Sequence, residues 1–275
     1  MNRLLIKKQA KASLKGKWGT AIGFCFVASI LATIIPCIGY GVAIATSKTV
    51  QTSAGPKVVS MSTVGAIFIV LAILAVFFIT PLFAYATAKA FLNNNRGQSF
   101  TVGNVFDGFK EKPGKSIGVA ILSYIIIWLC YFIPSFIGGF FVGTAASRFK
   151  VVSDAVKTMT HGRTIYVIQH LGPRLSLAVL FFVIAIILGM IATFMYSLAF
   201  YIRVDNPDMG VVQILKTSRK IMHGRKLDLA VLCISFIGWF IVCYITCGIG
   251  VLWLAPYIQA NLAAFYDDAK DDIIE

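Results

Sequence analysis

The stretch LAVLCISFIGWFIVCYITCGIGVLWLAPYIQANLAAFY, Leu229–Tyr266, carries no charged residue, and its length decides the fold. As one α-helix it would be roughly 57 Å long at ~1.5 Å per residue, nearly twice the ~30 Å hydrocarbon core of a bilayer. A run this apolar belongs in lipid, and a run this long has to break. Gly248 and Gly250, in the sequence TCGIG, mark the place, because glycine accepts turn conformations that other residues resist. Two helices are expected, Asp228–Thr246 and Val251–Tyr266. The second either crosses the membrane or lies along its surface.

Four more charge-free stretches precede it: Gly19–Ser47, Val58–Ala88, Ser116–Ser147 and Leu175–Ile202. Each is long enough to span. The reading is an all-α, polytopic transmembrane helical bundle of about six spans in one integral membrane domain, 1–275. The spans fall near 19–46, 63–88, 117–145, 175–202, 228–246 and 251–266, between a basic segment 1–17 and an acidic tail 267–275. Composition agrees: 58% of residues are hydrophobic and only 13% charged, against about 25% charged in a soluble domain. The basic start and Ala43-Ile44-Ala45 resemble parts of a signal peptide, but the apolar run exceeds the usual ~7–15 residues. A retained first span is expected.

The net charge is +14, and the basic residues lie in the gaps between apolar runs. That placement reads as topology determination and attraction to anionic lipid headgroups. Nucleic acid is not an expected partner, since no recognition motif accompanies the charge. Lys and Arg concentrate in the N-terminal segment, the second loop and the fourth loop. A cytoplasmic N-terminus follows, with those three segments inside. The third loop, Arg148–Arg174, is basic too, and the charge rule alone would place it inside.

An internal repeat argues otherwise. Odd-numbered spans follow a glycine with basic neighbours: KGKWGTAIGF at Lys15–Phe24, PGKSIGVAIL at Pro113–Leu122, HGRKLDLAVL at His223–Leu232. Even-numbered spans end alike: KAFLNNN at Lys89–Asn95, LAFYIRV at Leu198–Val204, AAFYDDA at Ala263–Ala269. Three helical hairpins result, each leaving and re-entering the cytoplasm, with the third loop outside.

The fourth loop reads as an amphipathic basic helix. Asn206 suits its cap, Pro207 its first turn and Gly224 its end. Val211, Leu215, Ser218 and Met222 line one face, with Ile214 and Ile221 beside them. Such a helix either lies on an anionic leaflet or packs under the bundle. Candidate anionic-lipid contacts are Lys15, Lys17, Lys115, Lys216, Lys220, Arg225 and Lys226.

No catalytic signature, cofactor motif or metal-ligand spacing stands out, so catalytic, cofactor and metal residues are all expected to be none. Cys243 and Cys247 would share a helix face, too few for a metal site. Pro36, Pro81, Pro134 and Pro256 interrupt spans. Tyr257, Gln259 and Asn261 form the most polar cluster in a late span, read either as interhelical hydrogen bonding or as a polar pocket. Gly138, Gly139 and Gly189 permit close helix packing.

The run DNPDMGVVQILKTSRKIMHGRKLDLAVLCISFIGW, then TCGIGVLWLAPYIQANLAAFY, resembles a family of bacterial integral membrane proteins catalogued as domain of unknown function 975, common in Firmicutes. AKASLKGKWGTAIG near the start resembles it too. The resemblance implies a multi-pass bacterial cell-membrane protein and supplies no catalytic residue. The expected role is non-enzymatic, in envelope maintenance or as partner of a membrane complex. The alternative is a small-molecule or lipid transporter using the proline-broken helices. Expected partners are membrane lipids with anionic headgroups, and either another membrane protein or a second copy of the chain.

Overall fold

A computed structural model describes residues 3–52, 55–60, 62–156 and 163–274. The chain is an all-α, multi-pass membrane protein. Five helices among the described residues are long and apolar enough to cross a membrane: Trp18–Thr46, Thr63–Asn95, Pro113–Ala146, Pro173–Asp205 and Lys226–Ile245. The element order is α1 (Arg3–Ser13), α2 (Trp18–Thr46), a β-hairpin of β1 (Lys48–Thr52) and β2 (Gly55–Ser60), and α3 (Thr63–Asn95). A 3-10 turn (Val102–Phe106) leads into α4 (Asp107–Lys110), α5 (Pro113–Val156), α6 (Arg163–Tyr196), α7 (Ala199–Asp205) and α8 (Val211–Ile221). The chain continues through α9 (Lys226–Ile234), α10 (Ile237–Ile245) and α11 (Val251–Ile274).

The break at the end of the long apolar run lies where the glycines put it. Helix α10 stops at Ile245, and Cys247 and Gly248 both take left-handed backbone, with φ of 48° and 89°. Helix α11 then starts at Val251 and continues through the acidic residues to Ile274, past the expected end at Tyr266. Four expectations need correction. The hairpin β1–β2 was not anticipated; KTVQT and VVS are rich in β-branched residues, which favour strands. Helix α8 begins at Val211, later than Asn206, because Asn206 closes α7 and Asp208 is drawn to Lys112. Most of the third loop is helix, since α5 runs to Val156 and α6 starts at Arg163; residues 157–162 lie outside the described ones. Cys243 is buried in α10 while Cys247 is exposed beyond it, so the two share no face.

Residues 1–121 and 197–275 form one compact unit, and residues 122–196 another. In the second, α5 and α6 pack through small residues. Gly138 faces the Ala178 carbonyl and Phe181, and a Cβ on Gly189 would lie 2.1 Å from the Tyr131 ring. Buried Ala178, Ala185 and Ala192 recur every second turn of α6. Gly139 faces open space, so it has no packing role.

The first unit holds the larger core, and α3 shows where it sits. At 33 residues this helix is roughly 50 Å long, about 20 Å more than the hydrocarbon core. Its first half exposes Ile67, Val70, Leu71 and Phe78; its second half buries Leu82, Ala86, Ala90 and Phe91. Pro81, itself buried, stands at the boundary. The core is therefore built at one end of the spans, and the other end offers bare apolar side chains suited to lipid. Phe24, Phe91 and Phe100 meet there with ring centroids 5.6–6.1 Å apart.

Short amphipathic segments wrap this core. Helix α1 packs on α11, α4 on α3, and α8 on α7. Each precedes one of the spans and packs on the closing helix of another repeat, so the three joints form a closed cycle. Helices α1 and α8 superimpose in register: both have 11 residues, a left-handed glycine (Gly16, φ 77°; Gly224, φ 84°), and then a span. Ile6 and Ala10 are buried in α1 and Leu14 just after it; Ile214 and Ser218 are buried at the same places in α8 and Met222 just after it. Ala21 and Phe24, then Leu229 and Leu232, continue the match into the spans. In the second repeat the left-handed residue is Lys112 (φ 44°), just before Pro113-Gly114. Gly108 there occupies the place of Ala10 and Ser218, and it needs to be glycine: a Cβ would lie 2.0 Å from the Leu82 carbonyl oxygen.

Candidate functional site: three latches and a charged knot

The Ala-Phe pairs of α3, α7 and α11, Ala90-Phe91, Ala199-Phe200 and Ala264-Phe265, set the register of the site. Asn94, Arg203 and Asp268 stand at the same distance beyond them. Each reaches back to the turn that opens its own hairpin. Asn94, only 2% exposed, donates from Nδ2 to the Ser13 carbonyl at 2.9 Å, and its Oδ1 accepts from Lys17 Nζ at 2.9 Å. Arg203, also 2% exposed, donates from Nη2 to the carbonyls of Glu111 and Lys112 at 2.7 and 2.9 Å. Asp268 accepts from Arg225 Nη1 at 2.7 Å. Lys17 and Arg225, which follow the left-handed glycines, are equivalent residues in the two outer repeats.

The second latch has the most elaborate support. The Arg203 guanidinium lies 3.9 Å from the Tyr85 ring centroid, a cation–π contact. The Tyr85 hydroxyl donates to Glu111 Oε2 at 2.6 Å, and Lys89 pairs with Glu111 and, at 3.6 Å, with Asp107. Partial burial pushes the Glu111 carboxyl up, but the hydrogen bonds from Lys89 and Tyr85 hold it below its ordinary value. Two guanidinium nitrogens, Nε and Nη1, have no partner among the described groups.

Further along the same ends, Arg96, Asp205 and Lys270 are again equivalent positions, and here the three repeats meet one another. Arg96 grips Asp205 with both terminal nitrogens at 2.6 and 3.0 Å, and Lys270 Nζ lies 2.7 Å from Asp205. Tyr266 donates to Asp205 at 3.1 Å, and Arg96 reaches Asp267 at 2.6 Å. Three like charges at this point would repel; the alternation of cation, anion and cation makes the convergence attractive. The hydrogen bond to Asp205 holds the Arg96 guanidinium further up than usual against the opposing effect of burial. Tyr201 and Tyr266 stack beside the knot at 5.6 Å.

The seven basic residues expected to contact lipid divide. Lys15, Lys216 and Lys220 are exposed. Lys17 is held by Asn94 and by the Gln98 carbonyl, Lys115 by the Pro207 carbonyl at 2.9 Å, and Arg225 by Asp268. Lys226 is half-buried. The side chains of Tyr257, Gln259 and Asn261 have separate partners. Gln259 accepts from the Tyr201 hydroxyl at 3.4 Å. Asn261 is fully buried and donates to its own helix at the Tyr257 carbonyl, 2.7 Å away, while its Oδ1 has no partner among the described groups. Tyr257 points elsewhere, into an aromatic pocket with Trp18, Trp239 and Trp253. Among the described residues no group of three or more His, Cys, Asp or Glu is placed to hold a metal ion.

Asn94, Arg203 and Asp205 were missed as interacting residues, although the alignment of the three Ala-Phe ends already set Asn94, Arg203 and Asp268 in one column. Charge at a span end reads first as a topology signal, which hid their role. No curated protein and no solved structure matches the chain. A family model does, over residues 1–272, and thus from α1 through α11: the chain belongs to the family described as protein of unknown function (DUF975).

Proposed function

We propose that this is a non-enzymatic, multi-pass protein of the bacterial cell membrane, with its N-terminus and the latched end of its helices in the cytoplasm. It serves envelope maintenance as the partner of another membrane protein. The observation that carries this reading is the cycle of amphipathic segments around one end of the spans. Their inner faces are buried, and their outer faces present Lys15, Lys216 and Lys220. An anionic inner leaflet attracts such residues, each Lys contributing about 1 kcal/mol near the surface. The charged groups inside the collar face one another in latches and the knot. That suits a fixed scaffold better than a site built to bind and release cargo. On this reading α11 returns the chain to the cytoplasmic side, its acidic half standing in the collar.

Purification from native membranes at native expression, followed by mass spectrometry of bound protein and lipid, tests the proposal. A stable protein partner together with enriched anionic lipid is the expected result. Recovery of the lone chain with bulk lipid overturns the partner role. Labelling of cysteines introduced within residues 148–174 should proceed in intact cells; labelling only after permeabilisation overturns the orientation.

A further inference from the structure

Three of the chain's four tryptophans converge on one cavity. It is lined by Lys11, Trp18, Trp239, Trp253, Leu254 and Tyr257 and has a volume of about 200 Å³. Its lining comes from α1, α2, α10 and α11, where α1 packs on α11. Lys11 is exposed and has no hydrogen-bond or ion-pair partner among the described residues. One turn earlier, Lys7 Nζ stands 5.5 Å from the Phe236 ring centroid, and Phe236 meets Tyr257 edge-on at 5.7 Å. Lys11 thus lines the cavity itself, and the Lys7 ammonium lies over a ring that packs on one of its walls.

The second repeat builds the equivalent place differently. Phe109 stands to Gly114 as Lys11 stands to Gly16, and Phe83 stands to Phe91 as Tyr257 stands to Phe265. In the joint between α4 and α3, Phe109 fills the place, edge-on to Phe83 at 5.5 Å. In the joint between α1 and α11 the same place holds a lysine and an opening.

We propose that this pocket binds the headgroup phosphodiester of an anionic membrane phospholipid. An aromatic box alone would suit a quaternary ammonium, but Lys7 and Lys11 repel one and call for an anion. Indole and Leu254 walls suit the glycerol and upper acyl carbons of a lipid, which inorganic phosphate lacks. Trp239 and Trp253, both about half exposed, continue into Phe240 and Ile241, which are as bare, so the acyl chains have an apolar surface to follow. Tryptophan and lysine together are the residues of the membrane–water boundary. The inference deepens the proposed function and rests on its reading that the collar meets an anionic leaflet.

Tryptophan fluorescence of the full chain in phosphatidylcholine nanodiscs tests it. A minor fraction of the lipid carries brominated acyl chains, as phosphatidylglycerol in one sample and as phosphatidylcholine in the other. Wild type should be quenched more by the brominated phosphatidylglycerol, and Lys11→Gln should lower that preference about fivefold, as expected for one lysine near the surface. Lys11→Phe, which copies the filled joint, should abolish it while the helical circular dichroism is kept. Lys216→Gln with Lys220→Gln, on α8, removes attraction from the basic face but not from the pocket, and should lower the preference clearly less than Lys11→Gln does. Equal quenching by the two lipids in wild type overturns the proposal, as does a preference that survives both Lys11 variants. If the α8 pair lowers the preference as much as Lys11→Gln does, the attraction belongs to the whole basic face. The pocket is then overturned, and the proposed function stands.

Discussion

The first and second hairpins close the same gap with different chemistry. In the first, a neutral amide, Asn94, takes one hydrogen bond from Lys17 and gives one to Ser13. In the second, a buried cation, Arg203, gives two to backbone carbonyls and is held over the Tyr85 ring. The reason lies in the turns they serve. The first turn ends α1 with a glycine, so the left-handed position there carries no strain and Lys17 is free to point at the latch. The second turn places Lys112 in left-handed backbone, which costs about 1 kcal/mol for a residue with a Cβ. Its carbonyls are turned inward and need a donor with reach. A guanidinium supplies that, and Glu111, Tyr85 and Lys89 balance its charge. The comparison teaches that the fold repeats a position, a residue beyond the Ala-Phe pair that ties the hairpin shut, and leaves the side chain open to local need.

The largest effect should follow from Arg203→Ala. It removes two charge-assisted hydrogen bonds and leaves two carbonyls and the Tyr85–Glu111 pair without their counterpart. A loss of roughly 3–6 kcal/mol is expected, at about 1.5–3 for each such bond. Denaturant unfolding in mild detergent measures it, and a loss below that from Asn94→Ala would break the ranking of the latches. Gly108→Ala comes next, at about 2–3 kcal/mol. Ala10 and Ser218 tolerate a Cβ at the equivalent place, whereas at Gly108 the new atom meets backbone at 2.0 Å. If Gly108→Ala unfolds like wild type, α4 does not pack as α1 and α8 do. Asn94→Ala should cost about 2 kcal/mol, since it strips the Ser13 carbonyl and Lys17 of their partner in a buried setting.

Glu111 gives a smaller, pH-dependent effect. Its folded carboxyl is held below the ordinary value of 4.5, so its contribution is complete above that value. The contribution is lost as pH falls through the depressed one. Wild type should therefore lose more stability than Glu111→Gln as pH falls through 4.5 and below it. Parallel pH profiles for the two proteins would remove Glu111 from the Arg203 latch.

Much of this was legible in the residues. The charge-free runs located the spans, TCGIG located the last break, and the paired motifs exposed the repeat. The lengths were not legible, because a span reads as ending at its first charge. Helix α3 continues past Lys89 because Glu111 and Asp107 neutralise that lysine, and α11 continues past Asp267 because Arg96 and Arg225 take up its acidic residues. Those partners are far away in sequence, so no local window reveals them. The basic residues misled in the same way: Lys17, Lys115 and Arg225 look like lipid contacts until the fold supplies their acceptors. The group Tyr257, Gln259 and Asn261 left two readings open in the sequence. Gln259 takes a hydrogen bond from Tyr201 on another helix, while Tyr257 lines the tryptophan cavity, and only the neighbouring helices decide between those roles.

The third latch is the test of how little chemistry the position needs. Arg225 and Asp268 form an ion pair whose carboxylate side chain is 38% exposed, so water and salt screen it. Asp268→Asn should cost less than about 1 kcal/mol at physiological salt, and the difference from wild type should shrink further as ionic strength rises. Against the buried Asn94, which feels no such screening, the two variants should diverge with salt: the Asn94→Ala loss stays constant while the Asp268→Asn loss fades. If both losses fade together, the first latch is open to solvent as well, and the three hairpins are closed by surface charge. If neither fades, the third hairpin is sealed as tightly as the first, and α11 belongs fully to the core rather than to its rim.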